Sequence, residues 1–257
     1  MSGLTIEVIS DPAQILELET ARVRWYLKEY ARYKSLGYDS ILRFPPGIKP
    51  ENTEHITDEE IKTATQQDFN ENRAEYEAET AALQKTWDTM SEKIMPTVAT
   101  VYGFTPNNHF KLVATAYGTG GGALEKGGAI FFKLPKYRPA KGRTEAEAIT
   151  HEVLNHEATG HLREGTAIDD SIFTTHQWHK ERLMDLLGRT LLVRSGLMKR
   201  EDIVMDDYAE AQAAKDIDAL YYATPNAPDE NNLRYEGRLP DLIRAIDAKT
   251  KEIPAAA

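Results

Sequence analysis

The sequence predicts an α+β fold that is mostly helical, with a small β-hairpin or sheet in the middle of the chain. Apolar residues recur at helical spacing before residue 105 and again after residue 176. Between these parts lie two β-type runs, HFKLVATAYG (109–118) and GAIFFKLP (128–135). The Gly-rich TGGGALEKG joins them, which is typical of a hairpin. We expect one domain, 1–257, with a helical part (1–105), a central part holding the hairpin and the key helices (106–195) and a helical C-terminal part (196–257).

The first elements have clear start signals. LTIEVIS (4–10) alternates enough to be a short strand. Asp11 and Pro12 then supply an N-cap and a proline at the first helical position. The helix that they open carries apolar residues at helical spacing and is expected to end at Gly37.

A long polar helix is expected next, after the Pro-rich loop RFPPGIKPEN (43–52). TDEE (57–60) has the Thr-x-x-Glu form of a capping box. The helix should continue to Met95, where Pro96 interrupts it. Its many charged residues indicate a solvated face, with the opposite side packed.

The second half of the chain is expected to be helical. Thr144 and Glu147 form another capping box, and the helix that they open contains ITHEVLNHEATGHLREG (149–165). Further helices are predicted at 176–195, 205–222 and 238–250.

Composition excludes several classes of function. The formal net charge of −10 argues against nucleic acid or an anionic membrane as the main partner. Cysteine is absent, which excludes disulfides, thiolate zinc sites and a cysteine nucleophile. The start MSGLTIEVISDP lacks the pattern of a signal peptide, and no apolar run reaches membrane-spanning length. We therefore expect a cytoplasmic protein.

Histidine is concentrated in one part of the chain, since five of the seven His fall between 151 and 179. The segment 149–165 holds two overlapping copies of one pattern. In the first copy His151-Glu152 is followed by His156, and in the second His156-Glu157 is followed by His161. Zinc-protease helices place two His four residues apart with a Glu after the first, so each copy has one residue too many.

The extra residue demands a local distortion of the helix. Residues four apart on an α-helix differ in direction by about 40°, whereas residues five apart differ by about 140° and diverge. A single-turn π-bulge adds one residue to a turn and brings the two His together again. Gly160 lies inside the second copy and lowers the steric resistance to such a turn.

A third ligand favours the second copy. THQWHKERLMDLLGR (175–189) supplies Glu181, with Asp185 four residues later on the same helix face. The 20 residues from His161 to Glu181 are enough for a helix end, a turn and the next helix. We expect His156, His161 and Glu181 to bind one Zn²⁺, and Asp185 to orient a ligand His through its free ring nitrogen. His151 is the alternative ligand from the first copy.

At these residues the chain resembles the gluzincins, the metallopeptidase clan that has a His-Glu-x-x-His helix followed by Glu and, four residues later, Asp. The six-residue HEATGH (156–161) is similar to the motif of dipeptidyl-peptidase III. YGTGGG (117–122), HQWHKERLMD (176–185) and GYDSILRFPPGI (37–48) also resemble a family of uncharacterised zinc peptidases. That family has the five-residue form with His where this chain has Gly160, and Glu164 is a further alternative ligand. The resemblance implies a zincin-like domain.

The expected reaction is hydrolysis of a peptide bond in a peptide or protein substrate. Glu157 would act as general base towards a zinc-bound water. A hydrogen bond to the oxyanion would come from one of four candidates, and the sequence does not choose among them: His176, His179, Tyr208 and Arg234. An exposed edge of the strand 128–134 would let an extended peptide bind by adding a strand.

Two other classes stay open. A di-metal carboxylate oxygenase would need Glu-x-x-His, three apart, on paired helices, whereas Glu152–His156 and Glu157–His161 are four apart. The other alternative is a catalytically inactive protein of the same fold, with the metal bound without turnover or with a His-rich helix that is merely polar. The number of metals per chain separates these classes, and the oligomeric state stays open.

Overall fold

The fold is α+β and mostly helical, as the sequence predicts. The structure, a computed structural model, describes residues 5–35, 37, 41–102, 109–118, 123–124, 129–138, 143–152, 177–203, 211–223 and 248. These residues divide into two compact units. One lies within 5–87 and 109–140 and is called the sheet unit below; the other lies within 88–108 and 141–257 and is called the histidine unit.

The described sheet has four strands in the order β1-β2-β4-β3. Their bounds are Thr5–Val8 (β1), His109–Thr115 (β2), Ala123–Leu124 (β3) and Ala129–Lys133 (β4). Strand β2 pairs in parallel with β1 and with β4, and β3 pairs antiparallel with β4. The expected β1 is confirmed, but the hairpin between 109–118 and 128–135 is wrong. The two long strands are parallel neighbours, and the Gly-rich segment between them contains β3.

The burial of β4 explains why it pairs in parallel. All five of its residues are buried, which is typical of an interior strand of a parallel sheet and unlike the alternation of a hairpin with one solvated face. On its second side β4 pairs with β3 at Ala129 and Ile130. The expected addition of a peptide strand along 128–134 is therefore wrong for the start of β4, where β3 already pairs, and stays a prediction for the rest.

The helices of the sheet unit begin where their caps predict. Helix α1 (Pro12–Lys28) has Asp11 as N-cap, whose side chain accepts a hydrogen bond from the Ala13 amide at 3.1 Å. A short α2 (Tyr30–Ser35) follows, and Gly37 adopts a φ of 77° just after it. Helix α3 (Asp58–Glu71) begins with the complete Thr57–Glu60 capping box.

The break in the long polar helix is at Asn72 and not at Pro96. The Asn72 side-chain amide donates to the Asp68 carbonyl at 2.6 Å, which ends α3. Helix α4 (Arg73–Tyr102) then runs through Pro96. The predicted interruption is wrong because Met90, Ile94 and Val98 are buried at four-residue spacing on both sides of the proline. Burial of this stripe outweighs the roughly 3 kcal/mol that an interior proline costs.

Three 3₁₀ turns complete the regular structure of the described chain: Pro50–His55, Pro135–Tyr137 and Arg200–Asp202. The apolar core of the sheet unit combines one face of α1 and α3 with the buried sides of β2 and β4. Its fully buried members include Val23, Val113, Ala116 and Phe131.

A buried carboxylate joins three elements of the sheet unit. Glu19 on α1 is fully buried and accepts hydrogen bonds from the Tyr76 hydroxyl at 2.5 Å, the Thr115 hydroxyl at 2.6 Å and the Ala116 amide at 3.0 Å. Burial raises the pKa of Glu19 above its ordinary value, although these bonds and the nearby Arg22 oppose the rise. Because the acceptors of Glu19 are satisfied from α4 and the end of β2, the three elements are held in register.

A second carboxylate fixes the loop before α3. Asp68 receives two bonds from the Arg43 guanidinium, at 3.0 and 3.1 Å, and one from the Tyr117 hydroxyl at 2.7 Å. Burial alone would raise the pKa of Asp68, but the bonds from Arg43, Tyr117 and Asn72 outweigh it and hold that pKa below its ordinary value. The backbone of Arg43 also bridges to Gly118.

The histidine unit is helical where it is described. Residues 145–152 form the described part of α5, followed by α6 (Gln177–Arg194) and α7 (Ala211–Ala223). Helix α6 packs against α7, and Arg182 bonds Asp218 through two nitrogens at 2.8 Å each. The predicted helix 176–195 is confirmed. The helix predicted at 238–250 lies outside the described residues except for Ala248, which is helical.

No helix in the described part of the chain is both long enough and apolar enough to cross a membrane.

Gly118 should be the least replaceable glycine among those described with a positive φ. It has a φ of +72°, and a Cβ there would lie 2.1 Å from the Tyr26 ring, which is buried. Gly118→Ala should therefore cost the roughly 1–2 kcal/mol of a left-handed L-residue plus about 1–3 kcal/mol of overpacking. Gly47→Ala is the matched control, because Gly47 has a φ of +85° and open space around it. Equal losses of unfolding free energy in the two variants, measured with urea, would contradict the close approach of Tyr26.

Lys133, at the end of β4, should make stability rise with pH in alkaline solution. Burial, together with the charges of Arg22 and Arg43, lowers the pKa of Lys133 to about 8. The unfolded chain holds this proton up to its ordinary pKa of 10.5, so unfolding takes up a proton between pH 8 and 10.5. The unfolding free energy of the wild type should therefore rise relative to Lys133→Met by about 3 kcal/mol across this window. Parallel pH profiles of the two proteins would show that Lys133 titrates normally.

Candidate functional site

The candidate site is built on α5, whose start is fixed by a capping box. The Thr144 amide and hydroxyl donate to Glu147 Oε2 at 2.8 and 2.7 Å, and the Glu147 amide donates back to the Thr144 hydroxyl at 3.3 Å. The predicted capping box is thus confirmed. His151 and Glu152 follow in the second turn of this helix, and both side chains are buried.

Asp185 on α6 contacts a histidine of the segment 149–165. Its Oδ1 lies 3.0 Å from His151 Nδ1, and both side chains are at most 4% exposed. The sequence predicts that Asp185 orients a ligand His. In the described part of the chain its histidine partner is His151, which belongs to the first copy of the pattern.

Arg143 binds the same carboxylate oxygen. Its Nη2 donates to Asp185 Oδ1 at 2.6 Å, and the Arg143 side chain is 17% exposed. Asp185 Oδ1 is thus shared by a guanidinium from just before α5 and an imidazole from its second turn. Such charge-assisted bonds are shorter and stronger than neutral ones.

A small cavity of about 10 Å³ adjoins this cluster. Arg143, His151 and Asp185 line it, together with Glu147 and Arg189. Its volume is room for about one water molecule.

Glu181 lies on α6 one turn before Asp185. Residues four apart share a helix face and are separated by about 6 Å along the axis. The backbone of Glu181 is described and helical, whereas its side chain lies outside the described residues. The same holds for His179.

Most of the predicted site lies outside the described residues, so its geometry is not tested. This applies to His156, Glu157 and His161, to Glu164, and to the candidate oxyanion partners His176, Tyr208 and Arg234. Within the ranges that the structure does describe, no three His, Asp or Glu side chains form a group that could hold a metal ion. Of the predicted site residues, the structure brings His151 and Asp185 together.

Arg143 is the site residue that sequence reasoning missed. It lies eight residues before His151 in KGRTEAEAITHE. The adjacent capping box shows where the helix begins, but no local pattern shows that a residue before the helix reaches a carboxylate 42 positions away. Only the packing of α5 on α6 shows this contact.

Comparison with protein-family models, with curated proteins and with solved structures found no match to this chain.

Asp185→Asn should destabilise the protein far more than Asp218→Asn. The Asp185 side chain is 4% exposed, so its loss of charge leaves the Arg143 guanidinium without this buried counter-charge, at a cost of about 3–5 kcal/mol. The Asp218 side chain is 33% exposed and pairs with Arg182 near solvent, where a change of about 1 kcal/mol or less is expected. Urea unfolding in the presence of a chelator measures both. Equal effects would show that the Arg143–Asp185–His151 cluster contributes no more than a surface ion pair.

Proposed function

We propose that this protein is a zinc-dependent peptidase whose metal site is built on the first copy of the His-Glu pattern. In this assignment His151, His156 and Glu181 bind one Zn²⁺, and Glu152 is the general base. The observation that carries the assignment is the buried contact between His151 Nδ1 and Asp185 Oδ1. It replaces the preference for the second copy that sequence spacing alone suggests.

The contact supports His151 as a ligand because of the nitrogen that it uses. Zinc-bound histidines commonly donate their other ring N–H to a carboxylate, which fixes the tautomer and orients the ring. Here Nδ1 faces Asp185, so Nε2 is the nitrogen that can face a metal. The arrangement of the two ring nitrogens of His151 thus fits a zinc ligand.

Glu181 fits because Asp185 fixes where α6 meets α5. The bond from His151 to Asp185 brings the second turn of α5 against α6. One turn earlier on the same face of α6 lies Glu181. Two His and one Glu, with one open position, is the ligand set of hydrolytic zinc sites.

The second copy remains the alternative, with His156 and His161 as ligands and Glu157 as base. His156 belongs to both copies. Both also place their two His five residues apart, so a one-residue bulge in the turn is required in either case. The two copies therefore differ in one histidine ligand, which is His151 or His161. They also differ in the general base, which is Glu152 or Glu157.

Each residue then has one task in the reaction. Zinc, when bound, supplies a polarised water and a Lewis acid for the scissile carbonyl. Glu152 would accept a proton from the attacking water and return it to the leaving amine. Asp185 holds His151 in place, and the buried environment of Glu152, which is 7% exposed, strengthens its electrostatic interactions. One of His176, His179, Tyr208 and Arg234 would donate to the oxyanion.

A peptide or protein is the proposed substrate, in keeping with the resemblance to zinc peptidases. The net charge of −10 disfavours nucleic acid as a substrate, and we propose a cytoplasmic location.

Elemental analysis of three purified proteins tests the metal site. The wild type should contain about one zinc per chain. His151→Ala should lose it, because a ligand is removed, whereas His161→Ala should keep it. Zinc that survives His151→Ala but not His161→Ala would instead assign the second copy. Two irons per chain would indicate the oxygenase class. A metal-free wild type would contradict the zinc proposal.

Cleavage of a peptide library by the zinc-loaded protein tests the reaction. Glu152→Gln should abolish cleavage while zinc content stays the same, since the general base is lost and the ligands are not. Glu157→Gln is the matched control one position after the shared His156, and it should remain active. Zinc binding without cleavage in the wild type would show a metal-binding protein without turnover.

A further inference from the structure

Arg143 and His151 reach one oxygen from two places along the described part of α5. Arg143 lies immediately before the N-cap Thr144, and His151 lies about 10 Å further along the axis. The capping box fixes the first turn of α5 and, with it, the position of Arg143 just before the N-cap. Both side chains nevertheless meet Asp185 Oδ1, at 2.6 Å for Arg143 and 3.0 Å for His151.

We propose that Arg143 is a positioning residue that acts through Asp185. It holds the carboxylate so that His151 keeps its hydrogen on Nδ1 and carries none on Nε2, the nitrogen that would bind the metal. The role of Nε2 as a ligand rests on the proposed zinc site, whereas the position of the ring hydrogen does not.

The hydrogen-bonding properties of the three groups lead to this arrangement. A guanidinium only donates, and an ionised carboxylate only accepts. With Arg143 as the cationic partner of Asp185, the neutral His151 ring can bond Oδ1 only by donating from Nδ1. A neutral imidazole carries one hydrogen, so Nε2 then has none.

Arg143 also compensates for the burial of the charge. The Asp185 side chain is 4% exposed, and a buried carboxylate requires a cation and hydrogen bonds to remain ionised. The planar guanidinium has a defined orientation, which a lysine ammonium would lack. Loss of Arg143 should therefore weaken the orientation of the carboxylate and, through it, that of the imidazole ring.

Histidine ¹⁵N NMR of the metal-free chain tests the tautomer directly. At a pH where the His151 ring is neutral, the wild type should show hydrogen on Nδ1 and none on Nε2. Arg143→Met should give a mixture of tautomers, and Arg143→Lys, which keeps the charge and guards against loss of folding, should give a smaller change. Arg182→Met is the matched control, because Arg182 lies on α6 like Asp185, has a side chain that is 15% exposed, and pairs with Asp218 on α7 instead of with Asp185. A single unchanged Nδ1–H tautomer in both Arg143 variants would overturn the proposal.

Zinc affinity, measured by competition with a chromophoric chelator, tests the consequence for the metal. Arg143→Met should weaken zinc binding by about 10–100-fold, as loss of the partners of a metal-binding His commonly does. Arg143→Lys should fall between this variant and the wild type, and Arg182→Met should bind zinc as the wild type does. The absorption of the Co²⁺-loaded protein should change in Arg143→Met and stay constant in Arg182→Met.

The two proposals fail separately. A wild type that shows the single tautomer, lost in Arg143→Met, but takes up no zinc would contradict the zinc site and support the role of Arg143. Equal zinc affinity and one tautomer in the wild type and both Arg143 variants would contradict the role of Arg143 and leave the zinc site standing.

Discussion

The buried carboxylate of Asp185 determines how the described helices of the candidate site meet. An ionised carboxylate that is 4% exposed must be matched by a cation and by hydrogen bonds. Arg143 and His151 supply both, from the residue before the N-cap of α5 and from the second turn of that helix. The position of the described part of α5 on α6 follows from this contact, and Glu181 lies one turn before Asp185 because the two residues are four apart on α6.

The buried carboxyl groups of the sheet unit must also be matched by hydrogen-bond donors, but the two groups differ in how many of these donors are charged. Glu19 is satisfied mainly by neutral donors, and burial raises its pKa. Asp68 has the Arg43 guanidinium as a direct partner, and its pKa is held below the ordinary value. In each case one carboxylate joins segments that are far apart in sequence: α1 with α4 and the end of β2, or α3 with the loop at Arg43. Buried carboxyl groups thus join distant segments within each unit.

The sequence predicts the candidate site only in part. Residue types and their spacing are visible within one segment, whereas the contacts between their side chains depend on segments that are far apart in the chain. The Glu181–Asp185 spacing shows a shared helix face, and the role of Asp185 beside a histidine followed from it. The spacing of 20 residues to Glu181 favoured His161 as a ligand. Spacing alone discriminates poorly here, because a connecting segment of variable length lets either copy of the repeated pattern reach Glu181. Which histidine meets Asp185 depends on the packing of α5 against α6, and this brings His151 to the carboxylate.

Local signals determined the start of each capped element. Asp11, Thr57 and Thr144 open helices because their side chains bond amides within three residues, so no tertiary contact is needed. The β-type runs at 109–118 and 128–135 likewise showed that strands exist, and the composition excluded thiolate chemistry. Tertiary structure decided the rest: the parallel pairing of β2 with β4, the passage of α4 through Pro96 and the meeting of Arg143 and His151 at Asp185. These depend on burial between distant segments, and a sequence shows which groups need partners but not which partners they find.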